Sequence, residues 1–173
     1  MRPTYRRMLA LTVLCAYLAL PSLSFTEPHK TEQVPREQDG KAPQKKISPG
    51  QRMDGAILED EDLKHSMLAG VRLRKAKLKG ANLELAMLAG ADLREADLEY
   101  ANLKQAMLLG ANLSRAKLLN TNFEDANLLG ASLEGARIEG ASFKNAYVTQ
   151  DQIDEACGKP RALPRGLKVP KPC

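Results

Sequence analysis

The sequence of 173 residues has no tryptophan, two histidines and only 4% aromatic residues. With so few rings, stacking on nucleobases or sugars has little support. His65 has neither a cysteine nor a second histidine as a partner, and no metal-ligand spacing or phosphate-binding glycine loop is present. The serines of the central region, Ser114, Ser132 and Ser142, have no base nearby. We therefore expect no enzymatic activity and no cofactor.

An apolar residue recurs at every fifth position from Met53 to Ile153. Between residues 58 and 148 these nineteen positions hold fifteen leucines, two phenylalanines, one isoleucine and one valine. Two residues earlier a second series is alanine at fifteen of the nineteen steps, and its exceptions are Glu61, Ser66, Val71 and Thr121. Neither an α-helix nor a flat strand places a period of five on one face. The period predicts a chain that turns a corner every five residues around a common interior.

The corners should fall two residues after each central apolar residue, where glycine is frequent: Gly70, Gly80, Gly90, Gly110, Gly130, Gly135 and Gly140. A longer period is superimposed on the short one, because the segments 67–70, 87–90, 107–110 and 127–130 resemble one another. The sequence therefore predicts a solenoid of 20-residue coils stacked about 4.8 Å apart.

Units such as 81–85, 91–95, 101–105 and 111–115 read alanine, then asparagine or aspartate, then leucine, then two variable residues. This pattern resembles the pentapeptide-repeat family over about residues 56–150. The resemblance implies an all-β fold, a right-handed quadrilateral β-helix with four repeats per coil. After residue 148 the pattern changes, and Thr149 with Gln152 three residues later predicts the start of a short helix. We expect this helix to run through Cys157 and to cap the open end of the solenoid.

The N-terminal residues 1–24 predict a signal peptide: three arginines precede an apolar run at 8–20, with small residues near Ser24. Cleavage near Ser24 would make the protein periplasmic or secreted, and an uncleaved membrane anchor is the alternative. Residues 25–52 predict a flexible polar linker, residues 53–150 the solenoid, and residues 151–173 the C-terminal cap and tail.

Removal of the signal peptide leaves two cysteines, Cys157 and Cys173. In an exported protein we expect them to form a disulfide. Two free thiols, or a bridge between two chains, are the alternatives.

One predicted side of the solenoid is apolar on its outer surface, and we call it the Met/Leu face. Its outward residues are Met67, Ala69, Met87, Ala89, Met107, Leu109, Leu129 and Tyr147. A contiguous apolar surface predicts a contact site, and methionine adapts to irregular partners. The candidate functions are a homodimer interface or a docking surface for another envelope protein. Alternatively, the linker or the tail folds over this face, or the face is simply exposed.

A second predicted side, which we call the arginine face, carries Arg72, Arg74, Lys75, Arg94 and Arg115. These residues make an envelope-binding module for anionic lipid or polysaccharide an alternative function. Acidic residues on the same side, Asp92, Glu95 and Glu134, favour a mixed, solvated surface instead.

A third predicted side, the asparagine face, carries Asn82, Asn102 and Asn122, which should stack into a hydrogen-bonded ladder. Charges of alternating sign flank the ladder, at Lys64, Glu84, Lys104, Glu124 and Lys144. This side is predicted to set the register of the coils.

The net charge of the repeats is close to zero, because residues 56–150 hold twelve basic and thirteen acidic residues. This balance does not favour nucleic acid as a partner. Some pentapeptide-repeat proteins look like duplex DNA and inhibit type II topoisomerases. That function requires a long acidic rod in the cytoplasm, so for this short and neutral chain it is the least favoured alternative.

Overall fold

The structure, a computed structural model, describes residues 47–170. The predicted signal peptide, most of the predicted linker and Cys173 lie outside these residues, so the domain boundaries stay predictions. Within the described range, no helix has the length and apolar character needed to cross a membrane.

Parallel backbone bridges connect residues that are twenty positions apart. Met67 pairs with Met87 and Met87 with Met107, and bridges of the same spacing run from Arg52↔Arg72 to Ser142↔Ala162. Each side of a coil contributes one bridged residue, so no longer β-strand forms between residues 47 and 170. The coil of twenty residues with four sides, predicted from the repeats, is confirmed by this pairing.

Each corner is a tight turn with one residue in the left-handed region. In the turn after Leu88, for example, the Ala91 N–H donates to the Leu88 carbonyl at 3.0 Å. The residue before each inward alanine has a positive φ, and this holds at every fifth position from 50 to 145. A bond of this kind with a positive φ at the third residue is typical of a type II turn.

Where a repeat has asparagine or aspartate before its central apolar residue, that side chain has a local structural role. Its side-chain oxygen accepts the backbone N–H two residues later: Asn112 from Ser114 at 3.0 Å and Asn122 from Glu124 at 3.1 Å. The aspartate Asp97 does the same with Glu99 at 3.2 Å. Short polar side chains of this type stabilise turns, which explains why asparagine and aspartate recur there.

Leucine and alanine fill the interior, as predicted. The central residues from Leu68 to Phe143 and the inward alanines from Ala76 to Ala141 are almost wholly buried. The rings of Phe123 and Phe143 stack, with centroids 5.0 Å apart and an interplanar angle of 8°.

Three of the four exceptions in the alanine series have separate explanations, and the fourth, Ser66, has a buried hydroxyl without a hydrogen-bond partner among the described residues. Val71 is buried, and Thr121 satisfies its hydroxyl by donating to the Leu98 carbonyl at 2.8 Å. Glu61 lies in the first coil, where no described coil covers it, and it is exposed.

The only helix among the described residues is α1, Gln150–Asp154. The predicted N-cap is confirmed, because the Thr149 hydroxyl accepts the Gln152 N–H and the Gln152 side chain accepts the Thr149 N–H. The predicted end at Cys157 is wrong, since the helix ends at Asp154. After Asp154 the backbone pairs with the preceding coil instead of continuing the helix. The Glu155 carbonyl accepts the Gly135 N–H at 2.8 Å, and the Cys157 N–H donates to the Ala136 carbonyl at 2.8 Å.

The segment around α1 lies against the end of the last complete coil. Ile153 is fully buried, and the Gln152 amide donates to the carbonyls of Leu128 at 2.7 Å and Ala131 at 2.6 Å. Further along the tail, Ala162 still pairs with a residue twenty positions earlier. The tail therefore keeps the 20-residue register although it has left the five-residue pattern.

Candidate interaction face

The Met/Leu face is one side of the solenoid, and its large side chains are exposed. The exposed fractions are 59% for Met67, 40% for Met87, 42% for Met107, 39% for Leu109, 43% for Leu129 and 63% for Tyr147. Ala69 and Ala89 are half-buried. The sequence-predicted residues of this face are thus brought together on one surface.

Two parallel columns make up the face. The first runs along the bridges Met67↔Met87↔Met107↔Asn127↔Tyr147. The second contains Ala69, Ala89, Leu109 and Leu129, two residues further along each coil. Asn127 is the one polar residue in the first column that the sequence interpretation left out, and the 20-residue register would have placed it there.

Buried leucines and backbone hydrogen bonds support the face from beneath. Leu88 and Leu108 are fully buried directly behind it, and their N–H groups donate to the carbonyls of Met107 and Asn127 at 2.8 and 2.7 Å. These bonds fix the spacing of the exposed side chains along the solenoid axis.

Glycines occupy the corner that borders the face. Gly90 and Gly110 have positive φ, and a Cβ at either position would meet nothing within 4 Å. At these two corners no side chain projects beside the Met/Leu face, so a partner can approach its edge. No charged residue occurs in segments 66–70, 86–90, 106–110, 126–130 or 146–149, so the whole side is electrically neutral.

The arginine face is different, because most of its cations are paired. Arg72 contacts Asp54 at 2.8 Å and Lys75 contacts Glu95 at 3.7 Å. Arg94 holds Asp92 with two hydrogen bonds of 2.8 and 2.6 Å, and Arg74 approaches the same carboxylate at 3.7 Å. Among the five predicted basic residues, only Arg115 has no ion pair with another described residue.

The ion pairs on the arginine face shift the pKa values of their members. The hydrogen bonds from Arg94 lower the pKa of Asp92, and they raise the pKa of Arg94 in turn. Two shallow depressions of about 470 and 360 Å³ lie along this side, lined by residues of both charges. The sequence analysis expected a mixed, solvated surface, and this geometry agrees with that expectation.

On the asparagine face the predicted ladder is confirmed. Asn102 donates to Asn82 and Asn122 donates to Asn102, each at 3.2 Å, and Asn82 extends the ladder to Asp62 at 3.1 Å. Lys64–Glu84 and Lys144–Glu124 form ion pairs at 2.9 Å, and Lys104–Glu124 forms one at 3.7 Å. The pairs join successive coils, which is the arrangement expected for a side that sets the register.

Two further site predictions concern metals and the disulfide. In residues 47–170 no group of three histidine, cysteine, aspartate or glutamate side chains could hold a metal ion. Cys157 is half-buried in the last bridged segment. Its predicted partner, Cys173, lies outside the described residues, so the Cys157–Cys173 bond stays a prediction.

Comparison with known proteins supports the repeat assignment. Eight copies of the family model for pentapeptide repeats match residues 52–84, 76–113 and 106–145, more than half of the chain. A search of curated proteins found no match.

Several solved structures of pentapeptide-repeat proteins are similar to this chain. The protein alr5209 from Nostoc Pcc 7120 is 31% identical over 68% of this chain and 77% of its own, with a TM-score of 0.42. AT2G44920 from the Arabidopsis thaliana thylakoid lumen is 34% identical over 60% of this chain and 72% of its own, with a TM-score of 0.30. QnrB1, a plasmid-mediated fluoroquinolone resistance protein, is 17% identical over 70% of this chain and 81% of its own, with a TM-score of 0.33.

The QnrB1 likeness is too remote to bear on function. The repeat matches over more than half of the chain show the family, and the 20-residue coil agrees with them. This chain belongs to the pentapeptide-repeat family, whose fold is a right-handed quadrilateral β-helix and whose members are generally non-catalytic structural or interaction modules.

Proposed function

We propose that this protein is a non-enzymatic interaction module of the bacterial envelope, and that a second copy of the chain docks on its Met/Leu face. The observation that carries the proposal is a fully uncharged side on which six large apolar side chains are exposed. The paired arginine face offers few free cations to an anionic surface, so it is the weaker candidate.

Shape supports a second copy as the occupant. A two-fold axis parallel to the solenoid axis would place the methionine column of one copy on the second column of the other. Met67 would then meet Ala69, and Met87 would meet Ala89, so that bulky side chains oppose small ones there, and Met107 would meet Leu109 as an apolar pair. The same patch serves both partners, as a two-fold interface requires.

The size of the face sets the expected strength. Six exposed side chains are few compared with the roughly 20–30 residues that each partner contributes to a stable interface. We therefore expect a weak and reversible dimer. Attachment of the chain at a surface, or a high local concentration, would raise the dimer population by mass action.

Export to the envelope rests on the predicted signal peptide, which lies outside the described residues. Purification from the native host and intact-mass measurement test this part. A mass that matches a start near residue 25 supports export, whereas the full mass in a cytoplasmic fraction contradicts it. Thiol titration of the same material checks the Cys157–Cys173 bond, since a disulfide leaves no reactive thiol until it is reduced.

Analytical ultracentrifugation over a wide concentration range tests the docking proposal. The wild-type chain should show a monomer–dimer equilibrium, and replacement of Met87, Met107 and Leu109 by lysine should leave only monomer. Ile57→Lys is the matched control, because Ile57 is 69% exposed on another side, and it should dimerise like the wild type. A wild-type chain that stays monomeric at every concentration contradicts the homodimer.

A further inference from the structure

The methionines of this protein are unevenly placed. The described residues contain four, and three of them, Met67, Met87 and Met107, stand in one exposed column. The fourth, Met53, packs against the core at its N-terminal end. Elsewhere the large apolar positions are mostly leucine, both inside and at Leu109 and Leu129, and the exceptions, such as Phe123, Ile138 and Ile57, carry no sulfur. The need for an apolar surface therefore does not by itself explain why methionine, and not leucine, occupies these three positions.

We propose that the thioether groups of Met67, Met87 and Met107 together bind one Cu(I) ion at the surface of the solenoid. Thioether sulfur is a soft, neutral ligand that selects soft metals such as Cu(I). The proposal does not rest on the proposed dimer, because it uses the sulfur atoms and not the apolar character of the face.

The register of the coils brings the three side chains together. Bridges join Met67 to Met87 and Met87 to Met107, and successive coils lie about 4.8 Å apart. Met87 is thus the central ligand, with one methionine a single coil above it and another a single coil below. Methionine has three rotatable side-chain bonds, so the outer sulfurs can turn toward an ion that sits beside Met87.

The surroundings favour a soft ion over a hard one. No carboxylate belongs to this side of the solenoid, so Ca²⁺ and Mg²⁺, which proteins bind largely through carboxylates, are not favoured there. All three methionines are exposed in the single chain, so an ion can reach them in the monomer without opening the fold. The flanking leucines hold the backbone in register through the bonds Leu68 N–H to Met87 and Leu88 N–H to Met107, both 2.8 Å.

Titration of the full chain with Cu(I) against a coloured Cu(I) chelator tests the proposal, with Ag(I) as a redox-inert substitute. The wild-type protein, with its cysteines oxidised, should withdraw one Cu(I) per chain from the chelator. The triple variant M67L/M87L/M107L should withdraw none, and M87L alone should weaken binding more than M67L alone. Met53→Leu is the matched control and should bind like the wild type.

Leucine preserves the apolar surface, so the triple variant also separates this inference from the proposed function. Its sedimentation should match that of the wild type even though its Cu(I) binding is lost. Unchanged Cu(I) binding by the triple variant would overturn the site. So would loss of binding in His65→Gln together with retention in the triple variant, because the ligand would then be the neighbouring imidazole.

Discussion

Asn102 and Asn82 are joined across one coil step by an amide hydrogen bond of 3.2 Å, and the Asn102 oxygen also accepts the Lys104 N–H at 3.2 Å. One side chain thus stabilises both its own turn and the contact between two coils. Stability in this fold therefore depends on positions outside the apolar core as well as on the buried leucines and alanines.

Replacement of Asn102 by alanine tests this double role. It removes the bonds to Asn82 and Lys104 and the bond that Asn122 donates to Asn102. We expect a loss of about 1–3 kcal/mol in the free energy of unfolding, measured by urea denaturation. Lys77→Ala, on another exposed side, should change the free energy by less than about 0.5 kcal/mol. Equal effects in the two variants would contradict the role of the ladder.

Leu108 and Leu109 are adjacent in the sequence but face opposite ways, with exposed fractions of 0% and 39%. Leu108→Ala should destabilise the protein by about 2–5 kcal/mol, because it leaves a cavity in a closely packed interior. The exposed neighbour provides the control, since Leu109→Ala should have a much smaller effect. Thermal or urea unfolding of both variants measures the difference, and similar losses would argue against the inward and outward assignment.

Replacement of Gly90 by alanine measures how much the left-handed backbone conformation of a corner costs a residue that has a Cβ. Its φ is +65°, and a Cβ there would meet nothing within 4 Å, so Gly90→Ala introduces backbone strain without a collision. We expect a loss of about 1–2 kcal/mol in the free energy of unfolding. At Gly80 an added Cβ would also overlap the Asp60 carboxylate of the coil above, so Gly80→Ala should cost more. A variant Gly90→Ala as stable as the wild type would show that the corners adapt freely.

Acid should reduce the stability that the Asp92–Arg94 ion pair on the arginine face contributes to the fold. The hydrogen bonds from Arg94 lower the pKa of Asp92 below its ordinary value of 3.8. A carboxyl with a lowered pKa in the folded state stabilises the protein above its unfolded pKa, and that contribution disappears as the pH falls through the folded pKa. The urea midpoint should therefore fall on acidification below about pH 4.

Asp92→Asn is the control for the acid effect. Asparagine keeps the oxygen that accepts the Arg94 N–H but cannot titrate. Its stability should depend less on pH in the acid range than that of the wild type. Parallel curves for the two proteins would assign the acid sensitivity to other carboxyls, among them Glu124, whose pKa is lowered by its bond with Lys144.

The repeat pattern was sufficient to predict the coil, because a period of five with small residues at fixed offsets allows few backbone arrangements. It also predicted which residues share a side, since a period of twenty assigns Met67, Met87 and Met107 to one column. The same period of twenty predicted the asparagine ladder, because it places Asn82, Asn102 and Asn122 on one side. These predictions depend on local periodicity and needed no long-range information.

The end of the solenoid was harder to predict. The capping residues Thr149 and Gln152 marked where α1 begins, but nothing local marked its end at Asp154. The end is set by pairing of the backbone at Glu155 and Cys157 with a coil twenty residues earlier, and such pairing cannot be read from the segment itself. The ion pairs that neutralise the arginine face were also unforeseen in detail, because they depend on side-chain geometry between coils.

The bridge spacing of twenty has a consequence for insertions and deletions. Loss of a single five-residue unit would rotate every later surface by a quarter turn, so that methionines and asparagines would share a side. Loss of four units would only shorten the rod by one layer and leave each surface continuous. Changes in length that preserve the function of this protein should therefore come in steps of twenty residues.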